Sequence, residues 1–436
     1  MRKKYIPFLS LSALAFSACT TFESRPIDLK TETTNWETVT NEATRERTIL
    51  TLADAQIVGL VFSPELNRSR AKLAQSKAVE AMSGLWQDPD FSMSVKRTLS
   101  TSAQPWAYSP GLSLTLPITG LPGLGKEIAA FYSEADYWQL AQAELDFRSE
   151  LAMLWVDYSA TKKKLDFTDA YLQKTILEND RLEQLAEAGE ITQDEMQAAE
   201  DRENATERER QALYLRLVEL HADIMRKLGL KPNASAEIKL DTNFPEEIPA
   251  CIISPSAEEL AEQPKMRAAL ATYNASEIAL KTEIRKQYPE LSLSPSYEID
   301  GNDEFEDSFT LGVGFSLPLW NRNRRGIAEA TGTREVLRIE TLTLWQEQFY
   351  NLRRLERAQI ANESYCRKQQ QRAKNLHERL EKIYRAIDIG ELSPAVLSEA
   401  AQQSFEASLA YFDSLAEFHK TRIQVHTMKQ KCVPEK

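Results

Sequence analysis

The residues most suggestive of chemistry lie at positions 119–127, TGLPGLGKE. Gly120, four residues, Gly125 and Lys126 have the spacing of a phosphate-binding loop, in which backbone amides and a lysine hold a nucleotide. Such a loop needs a Ser or Thr after the lysine to bind magnesium, and Glu127 occupies that position. The alternative is a glycine-rich connector between a strand and a helix. We favour the connector, so we expect no nucleotide and no cofactor.

Histidines and cysteines are the other candidate groups. His419 and His426 lie seven residues apart, on one face of a predicted helix, where they would be either a metal relay or half-buried core histidines. Neither has a His, Cys or carboxylate at ligand spacing, and the sequence contains no CxxC pair. No catalytic triad or carboxylate pair is present either. We therefore expect neither a metal site nor enzyme activity.

The composition and the first residues indicate an exported chain. A formal charge of −12 over 436 residues disfavours nucleic-acid binding. Residues 1–18 combine a basic start with a short apolar stretch, which predicts a signal peptide. The small residues before Cys19 resemble the lipobox of bacterial lipoproteins and predict a lipidated Cys19. Thr20 rather than Asp favours the outer membrane, and the alternative is a plain secretory signal.

Comparison of the chain with itself indicates an internal repeat. The stretch SPELN at 63–67 matches QPKMR at 263–267, an offset of 200, and GEIT at 189–192 matches GELS at 390–393, an offset of 201. We therefore predict a linker over 19–49, a first repeat over 50–230 and a connector over 231–255. The second repeat covers 256–428, and a tail covers 429–436.

Each repeat is predicted to open with a helix of about 25 residues, behind Pro64 in the first and behind Ser254-Pro255 in the second. Two predicted strands follow in each repeat, within about 91–117 and about 290–318. Apolar residues alternate with Ser, Thr and Gly, as in Leu112-Ser113-Leu114, so each strand has one apolar and one small, polar face. Each run of nine or ten residues is long enough to cross a bilayer when tilted, and Trp106 and Trp320 lie near strand ends. A half-buried sheet in a soluble domain is the alternative. Four strands leave two open edges that lipid does not tolerate, so we expect copies of the chain to share one barrel.

Long helices follow each strand pair. The spacing of Leu151, Tyr158, Leu165 and Leu172 at sevens indicates coiled-coil packing. The first long helix is predicted to stop at Gly189 and restart at a capping box formed by Thr192 and Glu195. The equivalent stop is Gly390, and the helix restarts at Ser393-Pro394. The fold class is therefore mainly α with a membrane β part, built on long helical hairpins.

With these features the chain resembles the TolC-type outer-membrane efflux protein family. The resemblance depends on LTLADA (50–55), SPEL (63–66), the strands GLSLTLPI and GFSLPLWN, and the tips LAEAGEITQDEM (185–196) and AIDIGELSPAVL (386–397). It implies a homotrimer in which three chains with four strands each form a twelve-stranded barrel. Its helices would form a periplasmic tunnel that stays closed at the tip until an adaptor protein engages it, and an inner-membrane transporter would supply the energy. The stretch LPLWNRNRRGIAEA is similar to the cobalt–zinc–cadmium-type metal efflux branch.

The same resemblance implies roles for individual residues. The tips that contact the adaptor are Gly189, Glu190, Gly390 and Glu391. An acidic ring at the aperture is one interpretation of Glu187, Asp194, Glu195 and Asp388, and stabilisation of helix ends is the other. In the family the regions of Cys251 and Cys432 pack together, which suggests a disulfide.

The function implied is a passive exit duct in the outer membrane, with its helices in the periplasm. Two alternatives remain. A type I protein-secretion duct has the same architecture, and a periplasmic coiled-coil scaffold lipoprotein would have no pore. The transported substrate does not follow from the sequence.

Overall fold

The computed structural model describes residues 22–44, 49–97, 99, 106–231, 238–244, 256–300, 307–389, 391–392 and 395–429. The chain divides into two compact units, residues 1–47 and 48–436. In the first unit the described residues contain helix α1 (Leu29–Thr44), within a segment predicted only as a linker. Cys19, Cys251, Gly390 and Cys432 lie outside the described residues.

The second unit consists of two small sheets and a set of long helices. In chain order its elements are β1 (Ile49–Leu50), α2 (Leu52–Phe62), α3 (Pro64–Met82), β2 (Asp90–Arg97), β3 (Trp106–Leu116), α4 (Leu121–Glu187), α5 (Gln193–Leu228), β4 (Lys239–Leu240), α6 (Ala257–Ala261), α7 (Pro264–Arg285), β5 (Leu291–Asp300), β6 (Ser308–Phe315), α8 (Arg324–Asp388) and α9 (Ala395–Lys429).

The helices that precede the strands differ from the sequence prediction. A single helix was predicted behind Ser254-Pro255, whereas the described part of this region has α6 and then α7. The cause is Pro264, because the residue before a proline avoids the helical conformation. Gln263 accordingly has an extended backbone (ψ 145°), and α7 begins at Pro264. Helix α2 was not predicted; the hydroxyl of Thr51 caps it by accepting from the Asp54 N–H at 3.2 Å.

The predicted helical seam is confirmed. Leu151, Tyr158, Leu165 and Leu172 of α4 are all buried. In the same segment of α4, Ala152 and Val156 pack with Ala416 and Ile423 of α9 in one apolar cluster. Helices α4 and α5 form hairpin A, and α8 and α9 form hairpin B. The core is therefore a long apolar seam between two hairpins.

The four long strands form one antiparallel sheet in the order β2-β3-β5-β6. Each strand pair predicted from the sequence is a hairpin, and β3 and β5 join the two pairs. β1 and β4 form a separate two-stranded parallel sheet, which was not predicted.

Candidate functional site

The register of the four-stranded sheet confirms that it has two unlike faces. Ser92 lies opposite Gly111, and Gly111 lies opposite Ser296. Ser296 in turn lies opposite Thr310, so one row of small or polar residues crosses all four strands. A Cβ atom on Gly111 would lie 3.0 Å from the hydroxyl oxygen of Ser92, a closer approach than side chains ordinarily make. The small face is thus closely packed across its strands.

The other face is apolar and open to its surroundings. Phe309 is 68% exposed and Val313 is 56% exposed, although both are large apolar residues in a regular strand. The register places the following residues on this face: Phe91, Met93, Val95, Tyr108, Leu112, Leu114, Leu116, Leu291, Leu293, Tyr297, Ile299, Phe309, Leu311, Val313 and Phe315. Exposed apolar patches of this extent mark surfaces that contact lipid or another protein.

The sheet also has two open edges. Strands β2 and β6 are its outer strands, and within the described part of the chain each pairs with a single neighbour. An open edge presents unpaired N–H and C=O groups, which need a partner wherever water is absent. Within the described part of the chain, the sheet therefore has two edges at which further strands could pair.

The tip of hairpin A has the predicted capping geometry. The amide of Glu190 donates to the Leu185 carbonyl at 2.8 Å, and Gly189 has the left-handed backbone (φ 76°) that this turn requires. Thr192 then caps α5: the amide of Glu195 donates to the Thr192 hydroxyl at 3.2 Å, and the Thr192 amide donates to the Glu195 carboxylate at 2.8 Å. The predicted capping box is confirmed.

Hairpin B turns in a similar way where it is described. The amide of Glu391 donates to the Ala386 carbonyl at 2.8 Å, and α8 ends at Asp388. The bond spans five residues, as does the one from Glu190 to Leu185. Gly390, Ser393 and Pro394 lie outside the described residues, so the predicted stop and restart of this hairpin remain predictions.

The acidic residues predicted for an aperture are not equivalent. Glu187, Asp194 and Glu195 are all exposed near the tip of hairpin A. The backbone amide of Thr192 and, to a smaller extent, its hydroxyl donate hydrogen bonds that lower the pKa of Glu195. The carboxylate of Glu195 therefore serves the helix cap. The backbone of Asp388 ends α8, and the position of its side chain is outside what the structure describes. In the described set, Glu187 and Asp194 are exposed charges near the tip, and Glu195 is an exposed charge held at the start of α5.

A cluster of three side chains joins the hairpins near these tips. The phenol of Tyr384 in α8 donates a hydrogen bond to the carboxylate of Glu178 in α4. Arg202 in α5 has its Nη2 atom 3.6 Å from Oε2 of the same carboxylate. Burial raises the pKa of Tyr384 and the bond to Glu178 raises it further, so the phenol stays protonated and can donate. Glu178 thus links both helices of hairpin A to hairpin B.

Two further contacts strengthen this region. Phe405 of α9 stacks on Tyr171 of α4, with ring centroids 4.4 Å apart. Buried Asn179 of α4 donates to the Ala199 carbonyl of α5 at 3.2 Å and to the Glu203 carboxylate at 2.6 Å. The first contact joins the two hairpins, and the second holds hairpin A together.

Sequence reasoning did not identify the Glu178–Arg202–Tyr384 cluster. One signal was available in α5, where Ala199, Thr206, Leu213 and Leu220 recur at sevens and are buried. Arg202 lies three residues after Ala199, at the second seam position of that heptad, where an apolar residue is expected. A charged residue at a seam position requires a partner from a neighbouring helix.

The stretch TGLPGLGKE is not a phosphate loop. Gly120 has a left-handed backbone (φ 72°) and α4 begins directly after it, at Leu121. Gly125 and Lys126 therefore lie within the helix, and the amide of Leu124 donates to the Gly120 carbonyl at 3.3 Å. A phosphate cradle requires successive backbone amides turned toward the ligand in a loop. The structure supports the interpretation as a connector.

The two seam histidines are half-buried, and basic residues lie near both. Phe244 stacks on His419 with centroids 4.9 Å apart. Burial, together with the nearby positive charges of Arg422 and Lys163, lowers the pKa of His419 to about 4. Burial also lowers the pKa of His426. Among the described residues no three His, Cys, Asp or Glu side chains are grouped closely enough to hold a metal ion.

None of the described helices is long and apolar enough to cross a membrane.

The sheet and the two long hairpins together define the fold of outer-membrane channels. Solved structures with this fold include a membrane protein from Pseudomonas aeruginosa (16% identity, TM-score 0.77), which matches over 87% of this chain and 92% of its own. The outer-membrane channel OprN matches over 90% and 92% (15% identity, TM-score 0.76). The outer membrane protein VceC from Vibrio cholerae matches over 87% and 96% (15% identity, TM-score 0.73). No protein-family model matches the sequence, and no curated protein matches it either.

Proposed function

We propose that this protein is the outer-membrane exit duct of a tripartite efflux system, which conducts substrates passively from the periplasm to the exterior. The observation that carries the proposal is the four-stranded sheet, with an exposed apolar face, a face of Ser, Thr and Gly, and two open edges. Lipid would cover the apolar face, and water in a lumen would contact the small face. Lipid also requires that both edges be paired.

A homotrimer would pair those edges. Three copies contribute three times four strands, which is a closed barrel of twelve, and each β2 would meet the β6 of a neighbouring copy. The long helices support the same assembly, because exposed apolar residues also lie outside the sheet. Val336, Ile339 and Leu342 form such a stripe on α8, and Tyr214, Leu215 and Val218 form another on α5. We infer that neighbouring subunits cover these stripes.

The hairpin tips would contact a periplasmic adaptor, itself coupled to an inner-membrane transporter. Gly189 and Glu190 form a tight exposed turn, and we assign Gly390 and Glu391 the same role in hairpin B. The acidic side chains of Glu187, Asp194 and Glu195, with that of Asp388, would line the closed aperture and favour cations. The bond between Tyr384 and Glu178 would hold the two hairpins together in the closed state.

The chain would be attached to the outer membrane twice, by its barrel and by a lipid on Cys19 after removal of residues 1–18. Each half of the chain has two strands followed by two long helices, which supports a duplication as the origin of the fold. No catalytic step is proposed, and the similarity to metal efflux proteins in LPLWNRNRRGIAEA remains a hypothesis about the substrate.

Conductance and growth test the proposal. Protein extracted from outer membranes in mild detergent should migrate as a trimer and form channels in planar bilayers. A periplasmic scaffold would yield neither result. A deletion strain should become sensitive to divalent metals or to amphiphilic drugs, and the restored gene should reverse this. Normal growth together with the loss of a secreted protein would instead indicate a type I secretion duct.

A further inference from the structure

A cavity of about 200 Å³ lies between the two hairpins, close to their tips. All four long helices contribute to it. Its apolar wall consists of Leu182, Leu185, Ile191, Ile387 and Leu397. A water molecule occupies about 30 Å³ of liquid volume, so the cavity has room for roughly six or seven groups of that size. This is the size of a small organic molecule.

Arg202 contributes to the wall of this cavity, and its guanidinium has more N–H donors than the described residues around it supply acceptors. Its side chain is only 5% exposed, and the ion pair that it forms among the described residues, from Nη2 to Glu178, is long at 3.6 Å. Nε and Nη1 are buried and have no acceptor among the described residues. Buried donors on a charged group are costly to leave unsatisfied, which favours a ligand that brings an acceptor.

The chemistry of Arg202 specifies the kind of ligand. Two arginines, Arg181 and Arg202, and two carboxylates, Glu178 and Glu195, line the cavity, so its formal charges cancel. The carboxylate of Glu195 is engaged elsewhere, because it accepts from the amide and the hydroxyl of Thr192 at the start of α5. The preference for an anion comes from the guanidinium nitrogens of Arg202 that have no acceptor among the described residues, because a carboxylate is a stronger acceptor for arginine than a neutral group.

We propose that this cavity binds a small amphiphilic carboxylate, with its charged group on Arg202 and an apolar body of about six carbons against the leucines and isoleucines. A ligand in this position contacts both hairpins. The site does not depend on the proposed function, because it requires only the packing of the hairpins within one chain.

Ligand-observed NMR on the full-length protein in nonionic detergent tests this proposal, with hexanoate as the probe. Hexanamide has the same size and no charge, and empty micelles give the baseline. We expect saturable binding of one hexanoate per chain and at least tenfold weaker binding of hexanamide. R202Q should weaken hexanoate binding at least tenfold. R210Q removes a charge from the same helix, where Arg210 pairs with Glu207 at 3.1 Å outside the cavity, and should change the affinity less than twofold.

A second variant avoids the risk that R202Q disturbs folding. Ala198 lines the cavity and is itself exposed, so A198F should reduce the available space and leave Arg202 in place. We expect A198F also to weaken hexanoate binding at least tenfold. The proposal is overturned if hexanoate does not saturate, if hexanamide binds equally well, or if the A198F protein binds hexanoate like the wild type.

Discussion

The phenol of Tyr384 donates to the carboxylate of Glu178, although the two residues are 206 positions apart in the sequence and lie on different hairpins. The same carboxylate forms an ion pair with buried Arg202. Separation of the hairpins would break the bond between α4 and α8, whereas the pair between α4 and α5 lies within hairpin A. The bond to Tyr384 is therefore the polar contact here that should respond to opening.

Tyr384→Phe removes that bond and keeps the ring. A typical hydrogen bond contributes about 1 kcal/mol, and one to a charged group about 1.5–3 kcal/mol. We expect the variant to open more readily, with a mean conductance in planar bilayers several times that of the wild type. Tyr365→Phe is the matched control, because Tyr365 is exposed on the same helix. Equal conductance of Tyr384→Phe and wild type would mean that this bond does not stabilise the closed state.

The two faces of the sheet should respond oppositely to a charge. Leu311→Lys places a cation on the apolar face, which costs about 2–4 kcal/mol at the middle of a bilayer. Thr310→Lys places the same charge one residue away on the small face. We expect Leu311→Lys to reduce the yield of outer-membrane trimer severely and Thr310→Lys to leave most of it. Similar yields would mean that lipid does not cover the apolar face.

Gly189 tests the role of the tip. A Cβ there meets nothing within 4 Å, so a substitution acts through the backbone, whose φ of 76° disfavours most side chains. Gly189→Ala should cost about 1 kcal/mol, which hydrogen exchange at the tip amides would detect, and should weaken binding of the adaptor. Gly189→Asn tolerates this conformation and should behave more like the wild type. Adaptor binding unaffected by either variant would argue against a contact at this turn.

His419 makes stability depend on pH. Its folded pKa of about 4 lies below the usual value near 6.5, so the unfolded chain binds more protons between those values. The free energy of unfolding should therefore be highest above pH 6.5 and fall as the pH drops toward 4. We expect a loss on the order of 1–2 kcal/mol, once solvent screening of this half-buried group is allowed for.

His419→Phe should flatten that part of the pH profile, because a phenylalanine can stack on Phe244 and does not titrate. Apparent melting temperatures at pH 7.5 and pH 4.5 measure the effect, with exposed His377→Gln as the control. An identical fall in melting temperature for wild type and His419→Phe would exclude His419 as the cause.

Alkylation tests the predicted pairing of Cys251 and Cys432. Cys366 is buried and has a free thiol, so it serves as the internal reference once the protein is denatured. Denatured protein that has not been reduced should take up one alkyl group per chain, and reduced protein should take up three. Uptake of three groups without reduction would mean that the two cysteines are not bonded.

Local features of the fold were predictable because their causes are local. Thr192 and Glu195 form a capping box because a helix start leaves amides that a nearby side chain can satisfy. The alternation around Leu112 and Ser113 defined both faces of the sheet, because successive strand residues point to opposite sides. The break between α6 and α7 also has a local cause in Pro264, although the sequence interpretation assigned one helix there.

The sequence by itself determined the strands, the long helices and their seams, since these depend on backbone sterics and on apolar spacing within a segment. Only the tertiary structure decided that Glu178 meets both Arg202 and Tyr384, because those contacts arise when two separate hairpins pack side by side. The cavity beside Arg202 has the same origin: residues from four helices enclose it, and no single segment contains its pattern.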